Sequence, residues 1–204
     1  MERYENEDLE NYAYRYIIHK IVENQVRPGD IILETEMADT LQISRTPVRS
    51  AIGRLVNEGL IERRRKKGCI IPPPQPEDAR QVFQAREFLE GKVAGLAALN
   101  RTEPDVAELR KILDQEIKAL EAGLKDEYYL ANEKFHFSMI KMANNKYFER
   151  YCRQLFRRTS IYIFYFDSFY AVGNKANRFP PQRTPTQHLA IFEAIEKMES
   201  EQAE

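Results

Sequence analysis

Apolar residues in the second two thirds of the chain recur at helical spacing. Glu77 to Leu99 carries Val82, Phe83, Phe88, Leu89, Val93, Leu96 and Ala97 at close to a 3.6-residue period. Thr102 and Pro104 then supply an N-cap and an early-turn proline. The stripe Val106, Leu109, Ile112, Leu113, Ile117, Leu120 follows and ends near Gly123. A third helix is expected over Tyr128–Met142, through Leu130, Phe135, Met139 and Ile140. Tyr147 to about Phe169 reads as a long aromatic helix. Its segment Ile161–Phe166 is apolar on every face, which predicts burial in a core, a cavity wall or a dimer interface. A loop rich in Gly, Asn and Pro spans Gly173 to Pro185, and Thr186 begins a last helix with Leu189, Ile191, Phe192, Ile195 and Met198. After residue 72 there is no strand pattern and no Gly-rich phosphate loop.

The first seventy residues have a different punctuation. An amphipathic helix with Tyr12, Tyr16, Ile17, Ile21 and Val22 stops at the turn sequence Arg27-Pro28-Gly29-Asp30. A short helix over Leu33–Leu41 faces Met37, Ala38 and Leu41 inward, and Gln42-Ile43 makes a tight turn. Ser44 is placed to cap the next helix, with Pro47 in its first turn and Val48, Ile52 and Leu55 directed to the core. Leu60–Arg64 reads as a strand, Arg65–Gly68 as its turn and Cys69–Ile71 as the return strand. Pro72-Pro73-Pro74-Gln75-Pro76 forbids helix and favours a stiff connector. The expected fold is therefore mainly α. A winged helix-turn-helix with a small β-hairpin wing occupies 1–71, a proline-rich linker 72–76 and an all-helical bundle 77–204.

Composition narrows the class. Hydrophobic residues make up 43% and charged ones 31%, which suits a globular chain with a core. The net charge is −1, so any nucleic-acid contact must come from a local patch. Such a patch exists: residues 41–71 hold eight Lys or Arg against two acids, while residues 1–40 hold four against ten. With no basic, apolar leader and no run of about 18 apolar residues, the chain is expected to be cytoplasmic, without a membrane partner. Two cysteines, Cys69 and Cys152, are too few for a disulfide framework or a Cys-rich zinc site.

The positive surplus falls where duplex DNA would need it. Two helices joined by a short turn place the second in a major groove, with its N-terminal N–H groups and dipole facing phosphate. Arg45 and Arg49, four residues apart, project from one face. Arg pairs bidentately with guanine O6 and N7, and Thr46 can reach a base edge or a phosphate. A basic run can also be a solvated face, and helix-turn-helix geometry occurs in protein-interaction modules. Here the turn, cap, arginine pair, wing and charge polarity agree on DNA.

The residues Pro28-Gly29-Asp30, Leu33-x-Glu-x-x-Met-Ala, Ser44-Arg45-Thr46-Pro47-Val48-Arg49, Leu55, Glu58-Gly59-Leu60-Ile61 and Gly68 resemble the GntR family of regulators over 12–71. The resemblance implies that Ser44, Arg45, Thr46, Pro47 and Arg49 meet DNA, with Lys67 and Gly68 on the wing. A family position often held by Arg, just before the second helix, is Thr35 here. Arg86-x-x-Leu89-Glu90-x-x-x-Ala94-x-x-Ala97-Ala98, Phe135-His136 and His188-x-x-Ile191-x-x-Ala194-Ile195 resemble the FadR-type effector domain of that family. This second resemblance implies a bundle of about six or seven helices, a homodimer and a small carboxylate effector. In many such relatives an Asp and three His hold a divalent metal, zinc or nickel. The matching positions here are Asn132, His136 and His188. The middle His would fall near Phe166 and Asp167, where Asp167 is the one available substitute, and the chain's third His is His19.

Asn132 and His136 share a helix face at i, i+4, and His188 could add a third ligand. A neutral amide replaces carboxylate poorly, so the alternative is that both histidines are hydrogen-bonded groups in a binding pocket. Arg86 is the candidate anchor for an anionic effector, or else an ion-pair partner of Glu90. The reading is a ligand-responsive transcriptional regulator, expected to repress, that binds operator DNA as a homodimer and is not an enzyme. A metal-dependent hydrolase would need an open metal site with a base beside it. A ligand-free architectural DNA-binding protein would need a filled bundle.

Overall fold

A computed structural model of the chain describes residues 7–22, 25–64, 68–166 and 183–204. Contacts divide it into two units. The first comprises Met1–Ala79 with Arg157–Tyr165, and the second Arg80–Phe156 with Phe166–Glu204.

The first unit opens with α1 (Leu9–Val22), followed by the two-residue strand β1 (Ile31–Ile32), α2 (Glu34–Leu41) and α3 (Arg45–Asn57). The strands β2 (Glu62–Arg64) and β3 (Gly68–Ile70) complete a three-stranded antiparallel sheet ordered β1-β3-β2. β3 is central, pairing Ile31 with Ile70 and Ile32 with Cys69 on one side, and Arg63 with Cys69 on the other. β1 is an addition to the hairpin expected from the sequence, and the hairpin's first strand starts at Glu62, not Leu60. Leu60 and Ile61 are buried just before it. The core face of α1 is Ala13, Tyr14, Ile17, Ile18 and Ile21. Tyr12 and Tyr16, expected inside, are half-buried, because the stripe runs through 14 and 18 instead. α3 buries Val48, Ala51, Ile52 and Leu55 completely. Gln42 takes a left-handed φ of 54° between α2 and α3 and so closes the tight turn.

The second unit is helical. It is built from α4 (Pro76–Asn100), α5 (Glu103–Glu121), α6 (Lys125–Met142), α7 (Lys146–Phe166), α8 (Arg183–Glu196) and α9 (Ser200–Ala203), with the ends of α4 and α7 grouping with the first unit. Thr102 caps α5 in a reciprocal capping box with Asp105, and Pro104 lies in the first turn. α8 starts at Arg183, three residues before the expected Thr186, so Pro185 belongs to its first turn, where a missing N–H costs little. The core gathers Val93, Ala97, Leu109, Leu113, Phe135, Met139, Phe192 and Ile195. Phe88, counted with the inward stripe of α4, is 72% exposed. The buried face runs through Val82, Val93, Ala94, Ala97 and Ala98, and Phe88 lies off it. No helix among the described residues is long and apolar enough to cross a membrane.

Candidate functional site

In the first unit the residues expected to meet DNA cluster at the start of α3. Ser44 occupies the N-cap with extended backbone, but its hydroxyl makes no capping hydrogen bond. Ser44, Arg45, Thr46 and Arg49 are exposed, and Pro47 is half-buried. The orphan N–H groups of this helix start thus face outward beside two guanidinium groups. Arg49 Nε donates to Glu34 Oε2 on α2 at 2.9 Å, with the arginine side chain 65% exposed. An exposed pair of this kind is worth about 0.2–1 kcal/mol, so a phosphate or a guanine can displace it.

The other end of α3 is anchored. Glu58, its C-cap residue, accepts from Tyr14 Oη at 2.6 Å and from Arg54 Nε at 3.1 Å, and lies 3.3 Å from Arg157 Nε. Arg157 is buried and its guanidinium also lies over the Tyr14 ring. One carboxylate with three partners fixes the helix end, so the exposed arginines are displayed from a rigid element.

Gly68 closes the wing with φ +88°. A Cβ there would sit 2.9 Å from Leu33 Cδ2 and 3.0 Å from the backbone oxygen of Ile32, so both the backbone conformation and β1 demand glycine. Arg63 and Arg64 are exposed on β2. Lys67, the other wing residue expected at DNA, lies outside the described residues. Thr35 is the second residue of α2, half-buried.

In the second unit the structure gathers Arg86, Asn132, His136 and His188 around two acids. Asn132 Nδ2 donates to Glu116 Oε1 at 3.0 Å, and His188 Nδ1 lies 2.7 Å from Glu116 Oε2. Glu116 is completely buried. Arg86 Nη2 lies 3.1 Å from His136 Nε2, and Arg86 Nε 3.0 Å from Glu90 Oε2. His136 Nδ1 faces the same Glu90 oxygen at 3.3 Å. Aromatic rings enclose the group: Phe135 stacks on His188 at 4.2 Å between centroids, and Phe156 lies 5.1 Å from His136 and under the Arg86 guanidinium. The two imidazoles meet edge to face at 4.9 Å.

Burial lowers the His136 pKa to about 4, against the pull of Glu90 and with the help of Arg86, so the ring is neutral at physiological pH. Burial alone would raise the Glu90 pKa. Arg86 and His136 outweigh it and bring the carboxyl down to about 2, so it stays ionised. The four residues named from the sequence thus lie together, beside Glu116, which the sequence reading missed, and Glu90, which it gave only as a partner for Arg86. The signal for Glu116 was its place on the inward stripe of α5, since an acid at a core position needs donors.

Among the described residues, no three His, Cys, Asp or Glu side chains are grouped to hold a metal ion. Asp167, the substitute ligand considered for the long helix, lies outside the described residues. Neither thiol is activated: burial raises the Cys152 pKa to about 12 and also pushes up that of Cys69.

Comparison with known proteins bears on both units. Residues 9–71 match the family described as bacterial regulatory proteins, gntR family, and residues 81–204 match the FCD domain. The Nta operon transcriptional regulator of Aminobacter aminovorans is 32% identical over 120 residues, covering 59% of this chain and 57% of that protein. On that match the chain spans less than two thirds of the relative's length. The HTH-type transcriptional repressor RspR of Escherichia coli (strain K12) is 27% identical over 191 residues, 94% of this chain and 80% of the relative. The solved structure of E. coli McbR/YncC superimposes with a TM-score of 0.77 at 22% identity, covering 97% of this chain and 90% of that one. The last likeness is one of fold.

Proposed function

From the premise that the chain belongs to the gntR family of bacterial regulatory proteins, in the group that carries an FCD domain, we infer how it regulates. Members of this family are transcriptional regulators, and this chain is a regulator of that kind, not an enzyme. It binds operator DNA through Ser44, Arg45, Thr46, Pro47 and Arg49 at the start of α3, with Lys67 and Gly68 of the wing against the adjacent backbone. The single observation that carries this reading is the pair of exposed arginines one helical turn apart on a helix whose far end is locked by Glu58.

A homodimer sets two such helices on the half-sites of a pseudo-palindromic operator. The helical unit senses a small organic anion in the cytoplasm at Arg86, Asn132, His136 and His188. The ligand releases the DNA, so the protein acts as a repressor, as the relative RspR is named. A coupling of a few kcal/mol between ligand and DNA suffices for such a switch.

The test begins by selecting bound duplexes from a random-sequence pool with the purified protein. A mobility shift on the selected sequence then compares the chain with Arg45→Ala and Arg49→Ala. Loss of a bidentate base contact is worth about 1–3 kcal/mol, a weakening of roughly 5- to 150-fold. Variants that bind as tightly as the parent would remove α3 from the DNA interface.

A further inference from the structure

The polar cluster of the helical unit has the residue types of a metal site in three positions, yet the ligand atoms of those three residues are largely engaged by Arg86 and Glu116. His136 is caught from both sides. A guanidinium has no acceptor, so the 3.1 Å contact with Arg86 Nη2 requires His136 Nε2 to offer its lone pair to arginine. The ring proton is then on Nδ1, facing Glu90 at 3.3 Å. A metal needs a bare ring lone pair, and His136 has neither nitrogen to give. His188 directs Nδ1 to Glu116, which leaves Nε2 as its one ring lone pair outside that contact. Asn132 gives its amide N–H to the same carboxylate, so its remaining donor is a neutral oxygen. That leaves one imidazole nitrogen, one amide oxygen and the second oxygen of a Glu90 carboxylate already paired with Arg86, and this set, beside a fixed guanidinium, does not fit a zinc or nickel ion.

We propose that Arg86 is the resident cation of this polar cluster, holding the His136 lone pair that a divalent ion would need, and that the regulator senses its ligand without a metal. The guanidinium is built into place. Glu90 holds Nε at 3.0 Å, the Phe156 ring lies beneath it at 4.7 Å, and its side chain is only 12% exposed. A cation fixed by covalent attachment does not exchange with solvent and does not depend on metal supply. It repels a second cation at contact distance, which keeps the cluster metal-free. This inference concerns the helical unit alone and goes beyond the regulator reading.

Zinc binding to the purified full chain, without DNA, tests it. The parent protein, Arg86→Ala, Arg86→Met, His136→Gln and His188→Gln are each titrated with zinc chloride by calorimetry. Each is also desalted after zinc loading and assayed for metal, with circular dichroism reporting the fold. Met keeps much of the side-chain volume in case Ala disturbs packing. The proposal expects no stoichiometric zinc on the parent and no change in His136→Gln or His188→Gln. Zinc affinity should rise at least about ten-fold in whichever Arg86 variant stays folded, because the lone pair of His136 and the charge of Glu90 are released together. About one zinc per parent chain, lost on replacing either histidine, would overturn the proposal. So would a folded Arg86 variant that binds zinc no better than the parent. Neither result bears on DNA binding, which fails or holds in the mobility shift.

Discussion

His188 Nδ1 and Glu116 Oε2 lie 2.7 Å apart with both side chains almost fully buried, although 72 residues separate them in sequence. The contact ties α8 to α5, and Asn132 adds a tie to α6 through the other carboxylate oxygen. Removing the carboxylate strands two donors at once, the buried one of His188 and the half-buried one of Asn132. Glu116→Ala should therefore lower the unfolding free energy of the chain by about 3 kcal/mol. Glu116→Gln keeps an acceptor oxygen and should cost less. Urea denaturation followed by far-ultraviolet circular dichroism measures both. Equal midpoints for parent and Glu116→Ala would mean that the carboxylate supports nothing.

Acid should loosen the helical unit, and His136 sets where. Its pKa is about 4 in the fold against an ordinary value of 6.5, so between these values the unfolded chain binds the extra proton. Stability from the neutral ring is fully present above about pH 6.5 and is lost as the pH falls towards 4. Glu90 acts in the same direction at lower pH. Its contribution is present above its ordinary value of 4.5 and fades as the pH approaches 2. The denaturation midpoint should fall between pH 7 and pH 5 in the parent and fall less in His136→Gln. A parent midpoint that stays level, or a variant that tracks the parent, contradicts the assignment.

Replacing the wing glycine tests the hairpin. Gly68→Ala forces a Cβ into a left-handed backbone and against Leu33 and the Ile32 carbonyl oxygen. A cost of about 1–3 kcal/mol is expected from such strain. Thermal unfolding should shift downwards, and DNA affinity should drop because the wing is displaced. A Gly68→Ala protein with unchanged melting and unchanged DNA binding would show that β1 and β3 do not meet as described.

The helix-turn-helix was legible because every signal for it is local. Pro28-Gly29 stops one helix, Ser44 precedes another, and the apolar positions Val48, Ile52 and Leu55 repeat within one element. The capping box at Thr102 and Asp105 spans three residues and reads the same way. β1 did not show, since two residues carry no periodicity and their partner strand lies 37 or more positions away. Phe88 misled because a large apolar side chain was counted as inward, whereas the small residues Ala94, Ala97 and Ala98 make the buried face. At the polar cluster, Glu90 was visible four residues after Arg86. The contact of Arg86 with His136 crosses 50 positions and that of His188 with Glu116 crosses 72, distances over which spacing rules carry no information.

The salt dependence of binding to the selected operator probes the recognition surface most directly. Fluorescence anisotropy gives the dissociation constant over a range of potassium chloride concentrations for the parent, Arg45→Ala and Arg49→Ala. Each arginine that meets a phosphate should reduce the slope of log affinity against log salt by about one, and each that reads a base should relax the preference for the operator over scrambled duplex. Parent-like slopes together with parent-like preference in both variants would contradict the assignment of α3 as the element that reads DNA.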